Sequence, residues 1–333
     1  MGGYVGYGFR DYGWKYGGDF NTILNEYHDV RWKLSFDKDI PESGGTEFIS
    51  DPWVNPINSL RLLNVKNRDK MERWRTSFSF RPRSNMILEL GVQTQSREKI
   101  ETYSYVDDSG IASSEIYQTT EAIACWTWSP NSKYMQTQYG LVSVKKEFPE
   151  VTLQFTQGFQ GVMEGQFDYS RIDLRFDHRI QFRGAGQMFF QIFGGYNTAD
   201  LPASYLYNGR GNRDNIISDV QSFELMSSSR FLSDAHIDLL IEHRFGKIVR
   251  KPSFEPEFSL VARASYGTLR TSEKHISNDY TTMENGYFET GFIISKIFGS
   301  LGLGVYYQLG NYSSDNWLDS IALKFHFSTD FLQ

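Results

Sequence analysis

From Ile172 to Ile180 the chain sorts its residues into two sets. Ile172, Leu174, Phe176 and Ile180 fall on one parity with His178, and Asp173, Arg175, Asp177 and Arg179 fall on the other. Side chains on an extended strand point alternately to opposite faces, so this segment has one apolar face and one charged face. A helix, repeating about every 3.6 residues, would mix the two sets. The same rhythm recurs elsewhere. Val30, Trp32, Leu34 and Phe36 alternate with Arg31, Lys33, Ser35 and Asp37, and Val151, Leu153 and Phe155 alternate with Thr152, Gln154 and Thr156. The last strand carries Ile321, Leu323, Phe325, Phe327 and Phe331 on its apolar parity.

Between such runs lie turn signals, and the chain reads as strands throughout. Arg83-Ser84-Asn85, Ser129-Pro130-Asn131, Phe148-Pro149-Glu150 and Arg183-Gly184-Ala185-Gly186 mark short turns, with Asp11 to Gly13 as a further turn near the start. Longer connections are expected at Ile40 to Trp74, which holds Pro41, Pro52 and Pro56, and at Tyr103 to Ser114, with Asp107-Asp108-Ser109-Gly110 at its tip. Leu60 to Arg75 reads as able to carry a helical turn, and Tyr139 to Lys146 as a further strand. Another long loop runs from Asn197 to Phe223. No linker, low-complexity tract or fixed-period repeat divides the chain, so residues 1–333 read as a single domain.

Two all-β classes give this alternation: a soluble sandwich or lipocalin-like barrel, and a membrane barrel. Aromatics make up 16% of the chain, and pairs such as Tyr4/Tyr7, Trp126/Trp128, Tyr196/Tyr205 and Tyr306/Tyr307 sit where interfacial girdles would lie. Short turns alternate with long loops, as in membrane barrels. A mean hydropathy of -0.46 excludes membrane-spanning helices and is compatible with strands that are polar at every second residue. The expectation is a transmembrane antiparallel β-barrel of about fourteen strands, with twelve to sixteen open. Leu174 is then expected to face lipid, where a charge would destabilise, and a change at Asp173 to be mild.

Little in the sequence argues for chemistry. A net charge of -6 gives no basic footprint for nucleic acid. The single cysteine, Cys125, excludes an internal disulfide and a cysteine metal site. His236 and His243 fall on opposite faces of one strand, as do Asp177 and His178, so neither makes a metal or acid–base pair. There is no GxSxG elbow and no P-loop. The chain reads as having no catalytic residue, no metal site and no cofactor. Met1 is followed directly by a strand-like aromatic run instead of a secretion signal, which fits the C-terminal part of a longer protein.

Several motifs carry a family resemblance: Phe148-Pro149 with Leu153 and Phe155; Tyr169-Ser170-Arg171-Ile172; Leu201-Pro202 with Leu206; Phe223-Glu224-Leu225-Met226; Arg230-Phe231-Leu232-Ser233-Asp234; Glu242-His243-Arg244-Phe245-Gly246; and Tyr287-Phe288-Glu289 with Phe298. Across Ser129 to Phe298 the chain resembles an outer-membrane barrel family of the Bacteroidota, a domain of unknown function similar to BamA-like surface-antigen barrels. Its members carry an N-terminal carboxypeptidase-regulatory-like domain, which is absent from this sequence. The resemblance implies a bacterial outer-membrane location, contact with outer-membrane lipid, and protein partners in the outer membrane or periplasm. It implies a structural, assembly-related or transport role. A barrel protease or lipase, or a passive pore, are the alternatives.

The resemblance also implies that the loop after Asn197 re-enters the barrel. Leu201, Pro202, Phe223 and Met226 are then its anchors, and Arg210 or Arg213 would reach a wall carboxylate. Asp234 and Glu242 are the first candidates for that carboxylate, with Glu224 and Asp238 behind them. The alternative is a solvated loop arginine.

Overall fold

The computed structural model describes residues 1–8, 13–51, 65, 67–100, 103–106, 116–137, 140–145, 147–228, 230–247, 255–276, 280–314 and 316–328. Asp11, Pro52, Pro56, Leu60, the Asp107 to Gly110 tip and Phe331 lie outside them. One antiparallel sheet of fourteen strands dominates. In chain order these are β1 (Gly2–Gly8), β2 (Gly13–Asn25), β3 (Val30–Asp39), β4 (Asp69–Arg83), β5 (Met86–Lys99), β6 (Ile116–Trp128) and β7 (Glu150–Gly158). They continue as β8 (Tyr169–Phe182), β9 (Gly186–Asn197), β10 (Ala235–Lys247), β11 (Glu257–Thr268), β12 (Met283–Phe298), β13 (Leu301–Leu309) and β14 (Ile321–Phe327). Each strand pairs with the next, the meander of an up-and-down barrel.

The two faces of this sheet are reversed relative to a soluble protein. Asp173, Glu89, Asp238, Arg263 and Glu289 are buried, while Phe78, Leu90, Phe155, Ile172, Val305 and Leu323 are exposed. Water disfavours such an apolar exterior by about 25 cal/mol per Å². Hydrocarbon does not, so the exposed face is the lipid face and the charged face lines the lumen of a membrane barrel. The parity read from Ile172 to Arg179 holds: Ile172 faces out and Asp173 is 0% exposed.

The girdle pairs divide. Tyr7, Tyr196 and Tyr307 lie on the outer face, but Tyr205 and Tyr306 are buried. For Tyr306 the reason is pleating, because adjacent strand residues cannot share a face. Tyr205 belongs to a loop.

Long connections gather at one end: residues 40–68, 100–115, 159–168, 198–234, 269–282 and 310–320. The opposite end carries several tight turns, such as those between β4 and β5 and between β8 and β9. At one of them Gly186 has φ +88, and any Cβ there would lie 1.8 Å from the Arg244 carbonyl, so only glycine fits. At this end, after β6, Lys133–Thr137 and Gly140–Lys145 form a separate two-stranded hairpin. Within the expected strand at Tyr139 to Lys146, Gly140–Lys145 thus pairs in this hairpin and not in the barrel wall. The helical turn considered for Leu60 to Arg75 gives way, from Asp69 onward, to β4.

Lysine placed at Leu174 should destabilise the barrel by about 2–4 kcal/mol, the usual depth-dependent cost on a lipid face. Equilibrium unfolding in lipid vesicles measures it. The mild effect expected at Asp173 is revised, since its carboxylate accepts Arg171 Nε at 2.9 Å inside the wall. Asp173→Ala should be at least as damaging, because it leaves a buried guanidinium without its counter-ion.

Candidate functional site

The lumen is occupied by the protein's own loops. After β9 the chain turns at Leu201-Pro202 into a short 3-10 turn, Ala203–Tyr205. Proline holds the backbone out of the helical region just before it, which sets the direction of re-entry. Leu201, Tyr205 and Leu206 sink into a cluster with Tyr103, Tyr105, Tyr117 and Tyr169. Tyr207–Asn208 then pairs with Leu232–Ser233, closing the neck of the loop. Deeper in, Phe223 and Met226 are fully buried against Phe231, Met283 and Tyr287.

At the innermost turn Glu224 enters a pocket of charges. Its carboxylate lies 3.0 Å from Lys324 Nζ and 3.5 Å from Arg263 Nη1. It also accepts Asn212 Nδ2 at 2.7 Å and the Asp219 N–H at 2.7 Å. Glu289 on β12 completes the set: it accepts the N–H groups of Glu224 and Leu225 at 2.9 and 2.8 Å and Arg263 at 3.1 Å. Two carboxylates and two cations thus neutralise one another out of reach of water, each with hydrogen bonds to spare.

The loop between β3 and β4 enters beside it. Gly44 has φ +75, and a Cβ there would meet the Leu206 carbonyl at 2.7 Å, so the two loops touch backbone to backbone. Gly45 N–H donates to Leu206 at 2.9 Å, and Asn208 Nδ2 donates to Ser43 at 2.8 Å. Glu47 is bound by Arg73 at 2.7 Å, and Ile49 N–H donates to Gln154 at 2.8 Å. A cavity of about 1400 Å³ remains, lined among others by Asp37, Glu47, Arg73, Glu89 and Arg175. Several of its charges are paired: Arg73 with Asp37 at 3.1 Å, Lys33 with Glu89 at 3.0 Å, and Arg175 with Asp51 at 2.8 Å.

Arg210 and Arg213, the loop arginines expected to reach the wall, make the following contacts. Arg210 lies over the Phe193 ring at 4.0 Å, and exposed Arg213 reaches the Asp319 carbonyl at 3.4 Å. Asp234 is held by Arg270 at 2.5 Å and Glu242 by Arg244 at 2.8 Å. In the buried cluster the loop supplies a carboxylate, Glu224, and the wall supplies the cations Arg263 and Lys324. Glu224 belongs to the loop and not to the wall where it was a candidate. Arg263 and Lys324 went unnoticed in the sequence, and Glu289 entered only as part of a family motif. Each was findable as a lone charge on the lumen parity of an apolar strand, as in Ala262-Arg263-Ala264 and Leu323-Lys324-Phe325.

His236 is buried beside the Tyr207 ring at 4.3 Å, with Nε2 3.9 Å from Asp238. Ser265 Oγ donates to the other oxygen of that carboxylate at 2.5 Å. A serine nucleophile needs the imidazole between hydroxyl and acid, which this order does not provide. Outside the barrel strands, Tyr103 Oη and His275 Nδ1 lie 2.6 Å apart. Burial above all lowers the His275 imidazole from 6.5 to about 4.

Two outcomes follow. Glu224→Ala leaves Arg263 and Lys324 buried without their shared anion, which should cost about 3–5 kcal/mol, while Arg213→Ala at the exposed surface should cost about 0–1 kcal/mol. The heat-modifiable gel transition of each variant measures the difference. His275 stays neutral in the folded state at a pH where the unfolded chain takes up a proton. Its contribution is therefore full above pH 6.5 and declines as pH falls toward about 4. Melting temperature should drop over that window, and His275→Gln should flatten the drop.

Comparison with known proteins agrees with the fold. The C-terminal-domain model of a family of unknown function (DUF5686) matches residues 1–274. No curated protein matches the sequence. The fold is similar to the crystal structure of BamA from Haemophilus ducreyi lacking POTRA domains 1–3, with a TM-score of 0.55 and 8% identity. That likeness covers 94% of this chain and 60% of the other, so the chain spans less than two thirds of the BamA chain. The match over residues 1–274, most of the sequence, means that the chain belongs to the DUF5686 C-terminal domain family, whose function is unknown.

Proposed function

We propose that this chain is a bacterial outer-membrane barrel whose role is structural or assembly-related, exerted through protein partners, and not that of a passive pore or an enzyme. The observation that carries the reading is the occupied lumen. Glu224, buried among Arg263, Lys324 and Glu289, ties the long loop to three wall strands, and the second loop packs on it through Gly44 and Gly45. A pore for solutes would need that lumen clear. Transport of a larger cargo would need the loops to leave, breaking several desolvated ion pairs at once.

The likeness to BamA supports a barrel that works at the membrane with other proteins. The Bacteroidota source and an upstream carboxypeptidase-regulatory-like domain belong to the same reading, as does a location among outer-membrane lipids. The second reading, a barrel protease or lipase, draws on the buried His236, Asp238 and Ser265 group, but the order of that group disfavours it.

Planar-bilayer recording should show no steady conductance of the size expected for an open fourteen-stranded barrel. In-cell cross-linking from the tight-turn end should repeatedly capture the same few envelope proteins. A steady open channel, or hydrolysis of phospholipid or peptide that disappears in His236→Ala, would overturn the proposal.

A further inference from the structure

The last strand is paired on both edges, and one partner is not a barrel strand. β14 runs beside β13 with Gly302 opposite His326 and Gly304 opposite Lys324. Backbone groups of alternate residues point to opposite sides of a strand. Phe325 lies opposite Leu303 of β13, and because its N–H and C=O both bond the loop, they point across the other edge, toward the seam where a closing barrel meets β1. Both groups are taken. Phe325 N–H donates to the Ile216 carbonyl at 2.8 Å, and Ser218 N–H donates to the Phe325 carbonyl at 2.7 Å, a parallel bridge centred on Ile217.

Side chains reinforce the contact from inside. Ser218 Oγ lies 2.9 Å from His326 Nδ1, and Lys324 binds Glu224 and the Asn212 carbonyl. Three successive residues of β14 thus hold one stretch of the lumen loop, and Ile216 next to the bridge is an exposed apolar residue.

We propose that Ile216 to Ser218 is a built-in edge segment that latches the seam. Each backbone N–H and C=O of Phe325 makes its strand-type bond with one neighbour, so at this position the loop and β1 compete for the same two groups. With the loop seated, β14 is held to the lumen plug; release of the loop frees its edge for β1. The plug and the seam form one mechanical unit, and whatever displaces the loop changes the seam. This inference stands on the barrel fold and is independent of the assembly role.

Cysteine cross-linking in intact outer membranes, in a Cys125→Ser background, tests it. Ile217→Cys with Phe325→Cys should form an intramolecular cross-link in most molecules. Phe325→Cys combined with a cysteine at Tyr4, Val5, Gly6 or Tyr7 of β1 should form one only in a minority. Ser218→Pro removes the N–H that binds Phe325. It should raise the yield of the β1 cross-link relative to the loop cross-link about tenfold, the equivalent of one hydrogen bond at the upper end of its usual net worth. Should Ser218→Pro fail to migrate as a folded barrel, His326→Ala, which removes only the side-chain contact, carries the test with a shift in the same direction. A β1 cross-link that already dominates with the unaltered loop, or a ratio unmoved by a folded Ser218→Pro or His326→Ala variant, would overturn the latch.

Discussion

Everything inside this barrel is organised around one desolvated carboxylate. Glu224 sits at the end of a long loop, and it is stable as an anion only where Arg263 and Lys324 meet it and Asn212 and the Asp219 N–H fill its remaining lone pairs. A charge in a water-poor site without such partners would be strongly disfavoured. The loop therefore has one seat. Such networks add little net stability relative to an apolar core, since desolvation offsets most of the attraction, but a wrong arrangement strands charges and is severely penalised. The network selects a position; the burial of Phe223, Leu225 and Met226 around it supplies the driving force, roughly 1.5–3 kcal/mol for each large side chain removed from water.

The wall was readable from sequence because lipid and lumen impose opposite demands on successive residues. Ile172 to Arg179 could satisfy them in only one register, and Val30 to Asp37 likewise, so strand identity, face and approximate number followed from parity. The loop interior was less readable. Leu201, Phe223 and Met226 stood out as apolar residues in a polar loop, and all three are buried. The choice of Arg210 and Arg213 as the loop's charged contacts rested on the resemblance to a re-entrant loop. Sequence carries no parity in a loop, so it could not say that Arg210 would lie over the Phe193 ring or that Glu224 would turn inward. The hairpin after β6 shows the same limit: alternation identifies a strand but not the sheet it joins.

Hydrogen-bond supply links these features. A membrane barrel cannot leave a strand edge bare in hydrocarbon, because no solvent is present to satisfy it. The usual answer is closure of first strand on last. Here the edge of β14 finds part of its partners in the lumen loop, at Ile216 and Ser218, so the plug is stitched to the wall by main chain as well as by charge. The two attachments differ in kind. The ion pairs around Glu224 fix where the loop sits, and the backbone bonds to Phe325 couple that seat to the seam. A barrel built this way cannot lose its plug without also altering the hydrogen bonding of its last strand.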